Sequence, residues 1–507
     1  MDRFDEILLH DSFNDELLKN VHPEGWVNPE PAKVYNLVVM GGGTAGLVAA
    51  TEAAALGAKV ALVERYLIGG DCLNLGCIPS KTIISSSRVS KEVKEAGGHG
   101  VRILCGADAD FGAVMERMRR LRAKISRHDS VSRLRDVGID VFLGEGRFTG
   151  PDSVEVASAT LRFKKAVIAT GARPFHPPVE GLADAGYLTS ETVFSLTERP
   201  ARMAVLGGGS TGCELAQAFQ RLDIQVTLLH NKARLMDKED PEASDILQKV
   251  LSREGIRIVL GDWILKRVEV TETEKVLHIE RDGDNDQIPV DIIFVATGRS
   301  PNVESLGLEE ADVAYDTRAG VHVDNYLRTS NPRIYGAGDV CLKLKFNHTA
   351  EASAKIAVQN ALLANRKRFD LLTIPWCTFT DPEVAHVGKY GDEALSVGKD
   401  VETLTENLEN VDRAVLESEE EGFVKVHIRK GSGEVLGATI VSKHAGEMIG
   451  ELTLAMTAGI GLAQLSHLIH PYPTRSEALG HIADRFARRL KPAKKDAVAK
   501  KLASGCR

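Results

Sequence analysis

Hydrophobic positions along the chain gather in short runs separated by glycine-rich turns and helical stretches. Residues 34–40 are almost wholly apolar and β-branched, which predicts a buried strand. The run meets Gly41-Gly42-Gly43-Thr44-Ala45-Gly46, then a helical pattern over 47–56, then a second strand over 59–63 that ends on Glu64. The same order returns: a strand over 203–206, Gly207-Gly208-Gly209-Ser210-Thr211-Gly212, a helix over 213–222, and a strand over 224–229 ending on His230. In both copies the strand-end residue lies 18 positions after the last glycine, 46 to 64 and 212 to 230. Two further apolar strands, over 166–170 and 292–297, close on Ala-Thr-Gly, at Gly171 and Gly298. This alternation predicts an α/β fold with two Rossmann-like units.

G-x-G-x-x-G between a strand and a helix has a physical reading. The glycines make a tight turn, let backbone approach a pyrophosphate, and seat the helix on the strand. Gly41, Gly43 and Gly46 form one such site, and Gly207, Gly209 and Gly212 the other. The alternative is a pair of tight turns with no nucleotide. Glu64 can accept hydrogen bonds from both hydroxyls of an unphosphorylated adenosine ribose. The second strand ends on His230 without a carboxylate, and Lys232 and Arg234 follow. That suits a 2′-phosphate, hence NADPH with NADH as the other candidate, unless the cations are simply solvated loop groups. Gly70, Thr170, Gly171 and Gly338 would lie beside the first nucleotide, with Asp339 on a cofactor hydroxyl; Gly298 would lie beside the second.

Composition narrows the class. The 507 residues are 43% hydrophobic and 26% charged, enough for a sizeable core. The net charge of −8 and the lack of a basic face before the last 20 residues argue against nucleic acid. No run approaches the ~18 apolar residues of a membrane span. The acidic start, Met1-Asp2-Arg3-Phe4-Asp5-Glu6, is unlike a secretory signal, so a cytoplasmic protein is expected. Phe4, Ile7, Leu8, Phe13, Leu17 and Leu18 recur at helical spacing before Pro23, Pro29 and Pro31, predicting an amphipathic segment docked on the body. The tail from Arg488 is basic and reads as a solvated helix.

Seven cysteines are too few for a disulfide scaffold. Two of them stand in Gly69-Gly70-Asp71-Cys72-Leu73-Asn74-Leu75-Gly76-Cys77-Ile78-Pro79-Ser80-Lys81. Their four-residue separation is not that of a zinc ribbon, and no second Cys/His pair lies nearby. They are a redox pair that toggles between disulfide and dithiol, or else two buried core thiols. Lys81, four residues beyond Cys77, can favour a thiolate. Cys105, Cys213, Cys341 and Cys377 have no partner at redox or metal spacing and read as buried small hydrophobes.

With two glycine motifs around this cysteine pair, the chain over about 35–485 resembles the flavin-dependent pyridine nucleotide–disulfide oxidoreductases, the family of dihydrolipoamide dehydrogenase, glutathione reductase and mercuric reductase. The resemblance implies FAD at the first site and NAD(P)H at the second. It makes Cys77 the thiol nearest the flavin, Cys72 the interchange thiol, and Lys81 a partner of Glu214. It also implies a homodimer whose active site is completed by the partner's C-terminal motif. The expected divisions are an extension over 1–34, an FAD-binding domain over 35–176 and 301–370, an NAD(P)-binding domain over 177–300, an α+β dimerisation domain over 371–485, and a basic tail over 486–507.

In the disulfide-reducing members a histidine stands five residues before a C-terminal glutamate. Here Tyr472 holds that register before Glu477, and His470 is two residues away. Tyrosine, with a pKa of ~10, is a poor acid–base at neutral pH. Tyr472 is similar to the residue of the mercuric reductase branch, as is the segment Cys377 to Glu383. That branch usually ends in two adjacent cysteines, whereas here Cys506 stands alone. The expected acceptor is Hg(II) or another soft metal ion, with Cys72, Cys77 and Tyr472 as transient ligands and the tail thiol Cys506 as a further candidate, either a relay or simply an exposed tail thiol. The alternative is a small disulfide such as lipoamide, with His470 or a water as proton donor.

Overall fold

Leu37, Val38 and Val39 leave the strand Tyr35–Met40 no polar face, so it is buried on both sides and takes parallel neighbours. Val60–Glu64 pairs with it on one edge and Ala159–Ile168 on the other. Ile139–Leu143 extends the sheet beyond Val60–Glu64, and Ile334–Gly336 returns to pair in parallel with Ala159–Ile168. The computed structural model describes residues 8–490, apart from 105, 107, 282, 364, 365, 397 and 399. Phe4, Ile7, Cys105, Cys506 and the tail beyond Leu490 therefore lie outside the described residues.

The second glycine unit repeats the first. Arg257–Leu260, Gln225–His230, Arg202–Leu206 and Ile292–Val295 form a four-stranded parallel sheet in that order. A three-stranded antiparallel meander, Trp263–Val270, Lys275–Arg281 and Asp284–Val290, is inserted between its last two strands in sequence. Both glycine-loop helices begin earlier than hydrophobic spacing predicts, at Thr44 and Ser210. The last glycine of each motif is already helical, and small residues there carry no apolar signal.

The chain divides into two compact units. One runs to Asn231 and resumes over Gly255–Leu371; the other takes Lys232–Glu254 and the chain from Leu372. In the second unit five antiparallel strands stand in the order Pro375–Thr378, Glu383–Gly388, Val435–Ser442, Phe423–Arg429, Val401–Asn407. Leu452 and Ala455 of the helix Ala445–Ala458 and Ile482 and Phe486 of Glu477–Arg489 pack into its core. The helix Pro241–Arg253 joins this unit: Lys425 bonds both carboxylate oxygens of its capping Asp240 (2.9 and 2.8 Å), and Trp376 and Tyr390 bond Glu239 (2.8 and 2.6 Å). The whole is the α/β architecture expected, with an α+β C-terminal part.

The N-terminal segment is docked on the first unit. Asp11 caps the helix Ser12–Val21 by accepting from the backbone of Phe13 and Asn14. Leu8, Leu17 and Val21 are buried in the same core as Leu37 and Val39 of the central strand. No helix among the described residues is long and apolar enough to cross a membrane.

Candidate active site

The two glycine loops have the same steric logic. A Cβ on Gly46 would lie 1.7 Å from the Gly41 carbonyl oxygen, and one on Gly212 would lie 1.8 Å from that of Gly207. These glycines hold helix against strand. On Gly43 the nearest atom to a Cβ would be 3.6 Å away, and on Gly209 nothing would come within 4 Å. The middle glycine of each loop stands beside a helix N-terminus whose first N–H groups lack helical partners, the cradle a pyrophosphate needs; Gly209 faces open space, while Gly43 has room for a Cβ only in van der Waals contact with the Gly70 Cα. Gly70 brings the cysteine segment onto the first loop, since a Cβ there would lie 2.5 Å from the Gly43 Cα.

The strand ends differ. Glu64 accepts from the Gly42 N–H and the Tyr66 N–H, both at 2.6 Å, and burial pushes its carboxyl above the usual range. His230 offers no carboxylate; its carbonyl accepts from the Trp263 indole at 3.0 Å. Lys232 and Arg234, in the second unit, are exposed, and Arg234 lies 3.8 Å from Asp245. Thr170 and Asn302 exchange side chain-to-backbone hydrogen bonds of 2.8 Å, and Gly171 and Gly298 have no atom within 4 Å of a built Cβ. Asp339 lies 3.7 Å from the Arg299 guanidinium, and burial raises its carboxyl. Arg299 also pairs with Asp71. Sequence reading missed both; the one available signal was Arg299's place directly after Gly298.

Between the loops sits the thiol pair. Cys72 lies in the short helix Gly70–Asn74, and Cys77 opens the helix Cys77–Glu95. Both are free thiols here, hydrogen-bonded to each other. That bond, aided by Lys81, pulls Cys77 down to about 7 against the effect of burial. The same bond, together with burial, drives Cys72 well above the ordinary thiol range. One sulfur is thus set up as thiolate and the other as its donor. Lys81 Nζ stands 2.6 Å from Glu214 Oε2, and Glu214 is buried.

The C-terminal motif belongs to the second unit. Tyr472 is 70% exposed and its hydroxyl donates to Asp412 at 2.8 Å, which raises its pKa. Glu477 starts the last helix and accepts from the Thr474 N–H at 3.4 Å. His470 is largely buried, with Nε2 3.1 and 3.2 Å from the two carboxylate oxygens of Glu451. Glu451, 19 residues earlier on the helix Ala445–Ala458, was not legible as its partner. Among the described residues, Glu383, His444 and Glu447 also come together, with ligand atoms within 4.8 Å of one another. Glu383 is already engaged with the Gly446 N–H, and the Cys377 sulfur lies 3.9 Å from it.

Two dinucleotide loops around a polarised thiol pair define a flavoprotein disulfide oxidoreductase. The chain belongs to the pyridine nucleotide-disulphide oxidoreductase family, which it matches over residues 35–360, and it carries that family's dimerisation domain over 374–483. Members contain FAD and take electrons from NAD(P)H. The chain is 35% identical to a mercuric reductase of Staphylococcus aureus over 445 residues, 88% of this chain and 81% of that protein. It is 31% identical to a dihydrolipoyl dehydrogenase of Bacillus subtilis over 467 residues, 89% of this chain and 98% of that one. Among solved structures, it is similar to the Cu(II) complex of the HOCl-induced flavoprotein disulfide reductase RclA from Escherichia coli. That match has a TM-score of 0.80 and 28% identity, and covers 89% of this chain and 99% of that one.

Proposed function

We propose that the protein is a cytoplasmic, homodimeric NAD(P)H-dependent flavoenzyme that passes two electrons through Cys72 and Cys77 to a thiophilic acceptor, Hg(II) or another soft metal ion. The observation that carries this reading is the pair of free thiols on the turn that Gly70 packs onto the first glycine loop, with Cys77 four residues before Lys81 and its ion pair with buried Glu214; the lowered Cys77, at about 7, agrees with it. Gly41, Gly43, Gly46 and Glu64, with Gly70, Lys81, Thr170, Gly171, Gly338 and Asp339, would hold FAD. Gly207, Gly209, Gly212, His230 and Gly298 would hold the donor. Lys232 and Arg234 would favour NADPH over NADH. Bound FAD supplies a two-electron relay between the hydride donor and the disulfide.

The protein's own part is at sulfur. The Cys77 thiolate takes the metal, Cys72 joins it and releases its proton to solvent on binding, two electrons pass from the sulfurs to the metal, the Cys72–Cys77 bond forms, and Hg(II) leaves as Hg(0). This step consumes no proton, so Tyr472 in the acid–base register is no handicap. A soft thiolate pair also selects soft ions. The similarity to mercuric reductases, and to a reductase whose structure holds Cu(II), supports this choice.

One observation favours a second reading. His470 and Glu451 form an imidazole–carboxylate pair, the arrangement that protonates a leaving thiol near pH 7. Reduction of a small disulfide such as lipoamide would use it, and the similarity to dihydrolipoyl dehydrogenase fits.

The test is NADPH oxidation with Hg(II) under excess thiol, and with Cu(II), lipoamide and oxidised glutathione in its absence. The metal reading expects the metals to be turned over fastest, with activity lost in Cys72→Ser and only modestly reduced in Tyr472→Phe. Lipoamide turnover that collapses in His470→Gln, with negligible metal reduction, overturns it in favour of the second.

A further inference from the structure

The turn between the two cysteines is held from outside by the N-terminal segment. Asn74, the pivot of that turn, is 1% exposed. Its amide nitrogen donates to the carbonyls of Ile68 (3.1 Å) and Gly70 (2.9 Å), fixing the start of the short helix that carries Cys72. Its backbone carbonyl accepts from Arg122 Nη1 at 2.8 Å, while Arg122 Nη2 donates to Asn14 Oδ1 at 2.7 Å. Arg122 is 1% exposed and Asn14 2%. Beside them, Asp11 pairs with Arg119, Asn20 bonds Ser126 at 2.9 Å, and Val21 accepts from the Ile68 N–H at 3.2 Å.

The chemistry of this contact is unusual for mere packing. Arg122 is a buried guanidinium that donates to two neutral oxygens, the Asn74 carbonyl and Asn14 Oδ1, while its Nε makes no hydrogen bond among the described residues. Its charge is desolvated without a carboxylate bonded to it, which costs stability. A local rule broken at that cost, on the turn joining two redox thiols, marks a functional constraint.

We infer that Asn14 and Arg122 are positioning residues for the Cys72–Cys77 couple: Asn14 of the N-terminal helix holds Arg122, whose guanidinium clamps the Asn74 carbonyl, so the turn is already ordered for disulfide closure. This rests on the redox role proposed for the pair. A preorganised turn loses less conformational entropy when the S–S bond forms, so the clamp favours the disulfide over the dithiol.

The experiment equilibrates the holoenzyme with oxidised and reduced dithiothreitol and reads Cys72 and Cys77 by alkylation and mass spectrometry. In the exchange the reagent's S–S bond breaks, the Cys72–Cys77 bond forms, and two electrons and two protons pass to the reagent sulfurs. Arg122→Met and Asn14→Leu should each lower the constant for enzyme disulfide formation about tenfold, equivalent to ~30 mV. Asn14→Asp, which keeps the acceptor, should retain most of the wild-type value. Arg127→Ala cuts the exposed tie to Glu16, which does not touch Asn74, and should leave the constant unchanged. A constant within twofold of wild type in Asn14→Leu, or an equal shift in Arg127→Ala, overturns the inference. A wild-type pair that does not exchange at all overturns the proposed function as well.

Discussion

The two glycine loops share a backbone and differ at one strand end. In both, the last glycine is packed so closely on the first that a Cβ would sit 1.7 or 1.8 Å from a carbonyl oxygen, far inside van der Waals contact. In both, the middle glycine is far less crowded: Gly209 looks into open space, and Gly43 meets only the Gly70 Cα at 3.6 Å. The first strand then ends on Glu64, buried and bonded back to its own loop at 2.6 Å, and the second on His230, with no acid at all. Shape is thus duplicated, and the proposed difference in nucleotide preference rests on one side chain and the cations that follow it.

The largest effects should come from the shared part. Gly46→Val and Gly212→Val each force a side chain onto a backbone carbonyl and should cost at least ~3 kcal/mol, read as loss of soluble, folded protein. Gly209→Ala meets nothing within 4 Å, so its melting temperature should hold while NADPH binding weakens. If Gly209→Ala unfolds and Gly212→Val does not, the division of labour among the glycines is wrong.

The next effect separates the loops. Lys232→Ala with Arg234→Ala should raise the KM for NADPH about tenfold relative to that for NADH, or ~1.4 kcal/mol. An unchanged ratio, or a tenfold wild-type preference for NADH, would remove the cations from coenzyme choice.

A smaller effect belongs to Glu64 alone. Burial raises its pKa in the apoprotein, so the protonated form is favoured in the fold. The stabilisation this gives is complete below the unfolded value of ~4.3 and fades as pH rises through the raised one. Glu64→Gln should flatten the apoprotein's stability over that window; a slope identical to wild type would show that the carboxyl is not what titrates.

Much of this was legible in the chain. Strand–glycine–helix order carries both nucleotide units because only glycine fits where helix and strand touch, and the Ala-Thr-Gly strand ends fall beside them. Cys72 and Cys77 were legible as a pair by spacing, and the structure adds their unequal titration, which arises from a mutual hydrogen bond that spacing does not encode. Arg299 with Asp71, and His470 with Glu451, were not legible, because each joins residues far apart in sequence with no periodicity between them. Arg122 was hidden for another reason: on a helix it reads as one more surface cation, and only packing of the N-terminal helix buries it.

The central claim is that electrons from NAD(P)H arrive at Cys72 and Cys77. The most direct measurement is differential alkylation of the oxidised holoenzyme before and after one equivalent of NADPH under anaerobic conditions, located by mass spectrometry, followed by addition of Hg(II). The account predicts that two further thiols become alkylated, at Cys72 and Cys77 and nowhere else, and that the acceptor restores the unreactive state. Alkylation unchanged by NADPH, or gained at Cys213, Cys341 or Cys377 instead, would contradict it.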